Sequence, residues 1–517
     1  MSPTLRHVPF RRMGTSEVHQ RYLDEDRDLA MFVGRRPRTA EELLRRAPTN
    51  AGRLLAPAIL SEALLAYARR FDAPQPVIDN ARAVASGEVR FVVTGQQPGI
   101  LGGPLYNLFK VATAIRLCRE LESVPGSPKS VPLFWNHSDD HDIDEANRFF
   151  YVNKAMEVQR CRLEIERSGG PLRSLPAGRE VKRLLSSLDD LIPENEHRRW
   201  ALSLLEPRHP DEKLGEGLTR LLFDLFGERG LLVIEPRDLP REAFAPLERW
   251  WKEAPRIRET VRQTCDDLGG IGVDVTLDPS STLMFEMIGG LREPLADAEV
   301  FGQDSDLSPG VLLRPLWQDA ILPSIAFVVG PGELAYLCVA APLYKLLGVP
   351  QPLFVPRASM TLVEPSLQRL LAKFGWDLPD LAHGPERLIA DLQGNLDDGI
   401  EDEIDELALR VTQEIETLSA RVASIDASML ASLDRAKGKI ADELGRVAQK
   451  LRNSRQNKEG AGSRQIRRLC SNLRPRGRLQ ERVLSPLQFL CSYGPALADW
   501  IVEAADPFHT EHGVLEL

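Results

Sequence analysis

FVVTGQQPGILGGPLYNLFK, residues 91–110, decides the fold. An apolar run ends in a turn carrying Gly95, Gly99, Gly102 and Gly103, then opens into a segment with helical spacing. Glycine lets the backbone turn sharply and approach a ligand closely, and a helix beginning near Pro104 points free N–H groups and its positive dipole end at the same place. That arrangement suits an anion. The spacing is neither GxGxxG nor a Walker loop, because no GK[ST] follows, so a plain strand-to-helix turn stands as the alternative.

On either side the pattern extends. VRFVVT (89–94) and VPLFWN (131–136) read as buried strands, and the segment 104–121 between them reads as a helix. Two apolar runs flanking a helix predict a right-handed βαβ unit in a parallel sheet. The same plan returns downstream as SIAFVV (324–329), the turn GPGE (330–333), a helix-like stretch and QPLFVP (351–356). Between the two, GLLVIEP (230–236) predicts a third parallel strand. FAPLERWWKEAPRIRETVRQ predicts one amphipathic helix, and IGVDVTL and STLMFEMI the strands of an inserted hairpin. The expected fold is α/β, a doubly wound parallel sheet split by an inserted lobe.

The divisions follow from these elements. Residues 1–88 read as a helical lead-in, with a capping-box pattern from Thr39 to Glu42. Residues 89–150 and 311–380 form the two halves of the core, and 151–310 the inserted lobe with its core strand near 230–236. Beyond Pro385 no proline recurs until Pro475, and apolar residues from Ile400 to Leu451 repeat at a mean step of about 3.6 residues. Residues 381–473 are therefore expected to be a helical coiled-coil domain, an antiparallel hairpin with its tip at SIDAS (424–428). Residues 474–517 are expected to be a helical segment that packs back on the core.

Composition narrows the function. The 517 residues carry 65 Lys+Arg against 75 Asp+Glu, a formal charge of -10, which argues against a broad nucleic-acid footprint. Six scattered cysteines, none in a CxxC pair, give neither a disulfide framework nor a zinc knuckle. With no apolar h-region at the start and no charge-free apolar stretch of about 18 residues, neither export nor a membrane span is expected. A cytoplasmic location fits.

The candidate chemistry lies where the second strand ends, in NHSDDHDIDEAN (136–147). His137, Asp139, Asp140, His141, Asp142, Asp144 and Glu145 crowd the carboxyl edge of the predicted sheet, where such folds bind ligands. Asp142 or Asp144 suits a plain helix cap. Two histidines among four aspartates suggest more, either general acid–base and electrostatic groups or ligands to a divalent metal. No second His/Cys cluster completes a metal site, so no tightly bound metal is expected. Arg314 and Arg357 could each grip a carboxylate or phosphate, with surface ion pairs as the default, and Gln318 should lie near a sheet edge. Tyr493 and Gly494, in CSYGPALADW, offer a nucleotide surface, with a helix-to-helix turn as the alternative.

TGQQPGILGGPLYNLFKV, PLFWNHSDDHDIDE, the run from LLRPLWQDAILPS to MTLVEP and LQERVLSPLQFLCSYGPALADWI together resemble the BshC family, the cysteine-adding enzymes of bacillithiol biosynthesis. The similarity runs in order from about residue 89 to the C-terminus. It implies a Rossmann-like core related in plan to class I synthetases and a coiled coil through which two subunits form a homodimer. The implied reaction is a ligase step that joins the carboxyl group of cysteine to the amine of glucosaminyl malate. By analogy of fold it implies ATP, with magnesium accompanying the nucleotide and cysteinyl adenylate as intermediate. GQQPG stands in place of the synthetase phosphate-binding signature, and Asp139 stands where the family usually has Glu.

On this view Gly95, Gln96, Gln97 and Gly99, with His137, hold phosphate or the cysteinyl group. His141 stabilises transferring charge, Asp140 and Asp142 orient the ammonium or accept its proton beside Asp139, and Arg314, Gln318 or Arg357 fixes a substrate carboxylate. A metal-dependent hydrolase or transferase built on DDHD is the alternative enzyme. A coiled-coil scaffold with a degenerate nucleotide sensor is the non-catalytic one.

Overall fold

The computed structural model describes residues 3–48, 54–165, 170–188, 191–274, 277, 280–295, 305–394, 400–426 and 429–517. The chain forms two compact units, Met1–Gln368 with Arg478–Leu517, and Arg369–Gly477.

The first unit is built on five parallel strands: β1 (Arg90–Gln96), β2 (Ser130–Asn136), β3 (Leu232–Ile234), β4 (Ser324–Val329) and β5 (Leu353–Pro356). Their spatial order is β5-β4-β1-β2-β3. The chain winds outward from β1 to β3, then returns to the other side of β1 for β4 and β5. This reversal places a topological switch point between β1 and β4, where the connections leave in opposite directions and a crevice opens at the carboxyl ends. Every residue of β2 and β4 is buried, as expected of strands covered on both faces. Helix α1 (Tyr106–Glu122) crosses from β1 to β2, α2 (Leu214–Phe226) precedes β3, α3 (Arg314–Ile321) precedes β4, and α4 (Pro331–Leu347) joins β4 to β5.

Some sequence expectations need correction. The segments 1–88 and 474–517 are not wholly helical: Thr4–Val8 pairs antiparallel with His512–Glu516, which pairs parallel with Met360–Val363. TLRHV and HGVLE are too short and polar to signal strands, and their pairing comes from chain ends that meet only in the fold. The predicted single helix near 245–264 is two, Ala245–Trp251 and Ala254–Gly270, with Pro255 in the first turn of the second. In IGVDVTL, Ile271–Asp274 form no strand, and Val275 and Thr276 lie outside the described residues. STLMFEMI does supply one, Met284–Ile288, paired with Leu291–Pro294 and Leu307–Pro309.

The second unit begins earlier than the expected boundary at 381. Its two long helices are α5 (Ile400–Ile425) and α6 (Leu430–Leu473), an antiparallel hairpin tied by Lys437 to Glu416 at 3.0 Å. Of the predicted tip, Ala427 and Ser428 lie outside the described residues. The arms are unequal. Helix α6 runs on past α5, and its second half packs beside the helix Pro385–Gly394, with Arg467 paired to Glu386.

Candidate active site

Seven of the sequence-selected residues meet at the carboxyl ends of β1 and β2. Gly95 faces Trp135 in the ladder, and a methyl group there would lie 2.5 Å from the Trp135 carbonyl oxygen and 3.0 Å from His137 Nε2. Only glycine allows that approach. His137 is half-buried, with Nδ1 enclosed and without a hydrogen-bond partner. Burial, then the charges of Arg314 and Lys110, holds its pKa well below the ordinary histidine range, so the ring is neutral. Gln97 hydrogen-bonds the Asp140 carboxylate, which also accepts from the His141 N–H at 2.7 Å and faces Arg314 Nη1 at 3.4 Å. Burial alone would raise the Asp140 pKa. Arg314 and Arg292, with the hydrogen bonds, outweigh it and bring the group below the usual carboxylate range.

Two important residues, Lys110 and Arg292, escaped the sequence, and Glu333, expected only as a helix cap, does more. Lys110, in the second turn of α1, is 1 % exposed and donates to the Gly95 carbonyl at 2.6 Å, to Gln96 Oε1 at 2.8 Å and to Glu333 at 2.5 Å. All three of its donors are therefore engaged, and it ties the end of β1 to the start of α4 across the switch point. The sequence signal was a lysine inside an otherwise apolar helix face. Glu333 also caps α4, accepting from Gly330 N at 2.7 Å. Arg292 comes from the inserted hairpin. Its guanidinium lies 3.7 Å from the Phe285 ring centroid and contacts His141 Nδ1 at 3.0 Å. No periodicity announces a residue delivered by an insertion.

The other predicted site residues are engaged elsewhere. Asp139 turns away from Asp140 to pair with Arg237 Nε at 2.8 Å, both side chains being buried. Asp142 caps the short helix Ile143–Ala146 by accepting from Glu145 N. The four side chains of DDHD thus diverge, to Arg237, Arg314, Arg292 and a helix cap. Among the described residues no group of three or more His, Cys, Asp or Glu is placed to hold a metal ion. Gln318 is fully buried in α3 and donates to Asp319 at 3.2 Å, so it belongs to the core and not to a ligand edge. Arg357 pairs with buried Glu481 at 2.6 Å and is not free for a substrate carboxylate. Gly99 abuts the Gly103 Cα inside the turn. Tyr493 packs edge-on against Trp500, and Gly494, at φ +58°, ends the helix Leu487–Tyr493 against the His197 ring, the helix-to-helix turn alternative.

Behind the loop lies a polar network. Ser138 Oγ donates to Glu235 Oε2 at 2.5 Å, Tyr67 OH donates to Glu235 Oε1 at 3.0 Å, and Asn136 reaches Thr219 at 3.1 Å. Burial raises the Glu235 pKa to about 7. A raised acid pKa means that the folded state holds a proton the unfolded state has released, so stability falls as pH rises from the ordinary value of 4.5 through about 7. Glu235→Gln should remove that loss. Against wild type, its denaturation free energy should gain on the order of 3 kcal/mol between pH 4.5 and pH 8, at 1.36 kcal/mol per pKa unit. Parallel pH profiles for the two proteins would refute the assignment.

The fold and the cleft define a class: a Rossmann-like α/β protein with a helical arm, carrying arginines, a carboxylate and a histidine at the switch point. Comparison with known proteins is specific. Residues 4–358 match the family model "Bacillithiol biosynthesis BshC, N-terminal Rossmann-like domain" and residues 360–517 match "Bacillithiol biosynthesis BshC, C-terminal coiled-coil domain". The chain belongs to the BshC family. Relatives named "Putative cysteine ligase BshC" include that of Salinibacter ruber, 30% identical over 88% of each chain. That of Koribacter versatilis is 29% identical over 82% of this chain and 84% of its own. That of Heliobacterium modesticaldum is 30% identical over 82% and 83%. No helix among the described residues is long and apolar enough to cross a membrane.

Proposed function

We propose that this chain is a cytoplasmic ligase that forms an amide between the carboxyl group of cysteine and the amine of glucosaminyl malate, with ATP as the energy source. The observation that carries this reading is the match of both family models, which together span nearly the whole chain. The charged cleft supports it. Two guanidiniums, Arg292 and Arg314, act on the carboxylate of Asp140, and planar guanidinium donors there suit an anionic group. ATP with its magnesium, when bound, supplies the activation of the carboxyl group, and Arg314 and the backbone of the Gly99 turn would hold its phosphates. Lys110, with every donor engaged, would not.

Amide formation needs a neutral amine nucleophile. An Asp140 with a depressed pKa is a poor base and a good anchor, so it orients the ammonium. Glu145 suits proton acceptance better, because burial, then the charges of Asp142 and Asp140, raises its pKa. Mass spectrometry of the protein incubated with cysteine, glucosaminyl malate and magnesium tests the reaction. A cysteinyl amide mass that appears only with ATP supports the proposal, and its absence from folded protein rejects it.

The same reading includes a homodimer through the helical unit. Leu407, Leu418, Ile440, Val447 and Leu451, along α5 and α6, are 36–47% exposed, an apolar face for a second copy to cover. Sedimentation velocity should give a dimer for the full chain and a monomer for Leu407→Glu/Val447→Glu. A wild-type monomer at micromolar concentration would remove this part.

A further inference from the structure

We infer that Arg292 is a positioning residue that fixes the tautomer of His141, with the proton on Nε2 and the lone pair on Nδ1. Donor and acceptor identities fix the arrangement. Arginine carries only donors and does not lose its proton in proteins. Its Nη1 lies 3.0 Å from His141 Nδ1, so that nitrogen must be the acceptor. The competing partner is weaker. Asp140 Oδ1 is 3.7 Å from Nδ1 and already accepts from the backbone N–H groups of His141 and Asp142.

The arginine is itself held on every side. Nε donates to Ser308 Oγ at 3.2 Å, Nη2 donates to the Pro309 carbonyl at 3.0 Å, and Cζ lies 3.7 Å over the Phe285 ring centroid. Phe285 also meets the His141 ring, with centroids 5.9 Å apart. The paired strands Met284–Ile288, Leu291–Pro294 and Leu307–Pro309 thus supply the donor, its platform and its anchors. The inserted lobe completes the site, since no residue of the parallel sheet itself approaches Nδ1 in this way among the described contacts.

The consequence for chemistry is a sign. His141 cannot accept a proton through Nδ1 while Arg292 donates to it. The ring therefore works as an Nε2–H donor. It can stabilise negative charge that develops on an acyl or phosphoryl oxygen, and it is not the base that deprotonates the amine. This use of the proton rests on the proposed ligase activity, whereas the tautomer does not.

The test separates the two. The full chain, labelled with ¹⁵N-histidine, is examined by NMR near neutral pH, with His141 assigned by the signals missing from His141→Gln. Wild type should show the deshielded, unprotonated resonance on Nδ1 and the protonated one on Nε2. Arg292→Lys, which still donates, should keep that pattern. Arg292→Met should shift the ring toward the Nδ1–H form facing Asp140, and kcat should fall about 10²-fold with KM nearly unchanged. An Nδ1–H ring in the wild type, or identical spectra for wild type and Arg292→Met, would overturn the inference. If Arg292→Met does not fold, the wild-type and lysine spectra decide the matter. Correct tautomers with no amide product would sink only the ligase.

Discussion

Arg357→Ala should lower the free energy of unfolding by about 3–5 kcal/mol, because it leaves the Glu481 carboxylate buried without its cation. Glu481 is 0 % exposed. Its Oε1 accepts from Arg357 at 2.6 Å and from Ser359 Oγ at 2.8 Å, and its Oε2 accepts from Met360 N at 2.9 Å. Burial pushes the Glu481 pKa up, but Arg357 more than reverses this and places the group below the ordinary carboxylate range. The pair therefore contributes stability that is present above the ordinary value of 4.5 and is lost as pH falls through the folded value. Native domains are stable by about 5–15 kcal/mol, so the single substitution removes a large share. Arg357→Met with Glu481→Leu should be far milder than Arg357→Ala, since removing both charges strands neither. Urea denaturation of the three proteins decides this. If Arg357→Ala matches wild type, the carboxylate has another cation and the pair is not what secures β5 to the C-terminal segment.

This pairing also shows where sequence reasoning stops. Arg357 stands at the carboxyl end of a strand, where an arginine often meets a substrate, and the sequence gives no hint of Glu481, 124 positions away. The parallel core was legible because each strand is a continuous apolar run beside a helix, a local signal that survives without knowledge of partners. The crowd at 137–145 was legible for the same reason. What each side chain does was not, because direction depends on residues brought in by other elements: Arg237 draws Asp139 one way, Arg314 draws Asp140 the other, and Asp142 folds back on its own helix. The loop turns at Ser138 and Asp139, so its side chains point apart and a motif read as one cluster becomes four separate contacts. Lys110 and Arg292 were missed for opposite reasons. The first is a single charge, on an apolar helix face, whose partners lie on other elements, and the second arrives on a hairpin of irregular composition.

The opposed directions of Asp139 and Asp140 give the sharpest test of the site. Asp140→Asn keeps the shape of the side chain and removes its charge, so Arg314 and Arg292 face each other uncompensated and the incoming ammonium loses its anchor. Turnover should fall by about 10²–10³-fold, the usual effect of removing one preorganised electrostatic partner. Asp139→Asn removes the partner of buried Arg237, which retains the Leu307 carbonyl at 3.0 Å and the carboxylate of Asp306. Stability should drop by about 1–3 kcal/mol, while turnover per folded molecule stays within a few-fold of wild type. Neighbouring carboxylates with the same chemistry and nearly the same sequence context should thus differ, one in rate and the other in stability. Thermal denaturation and amide formation, measured on both variants, would expose a reversal. If Asp139→Asn were the inactive one, the ligand would enter from the Arg237 side of the loop, and the cleft between β1 and β4 would not be where the bond is made.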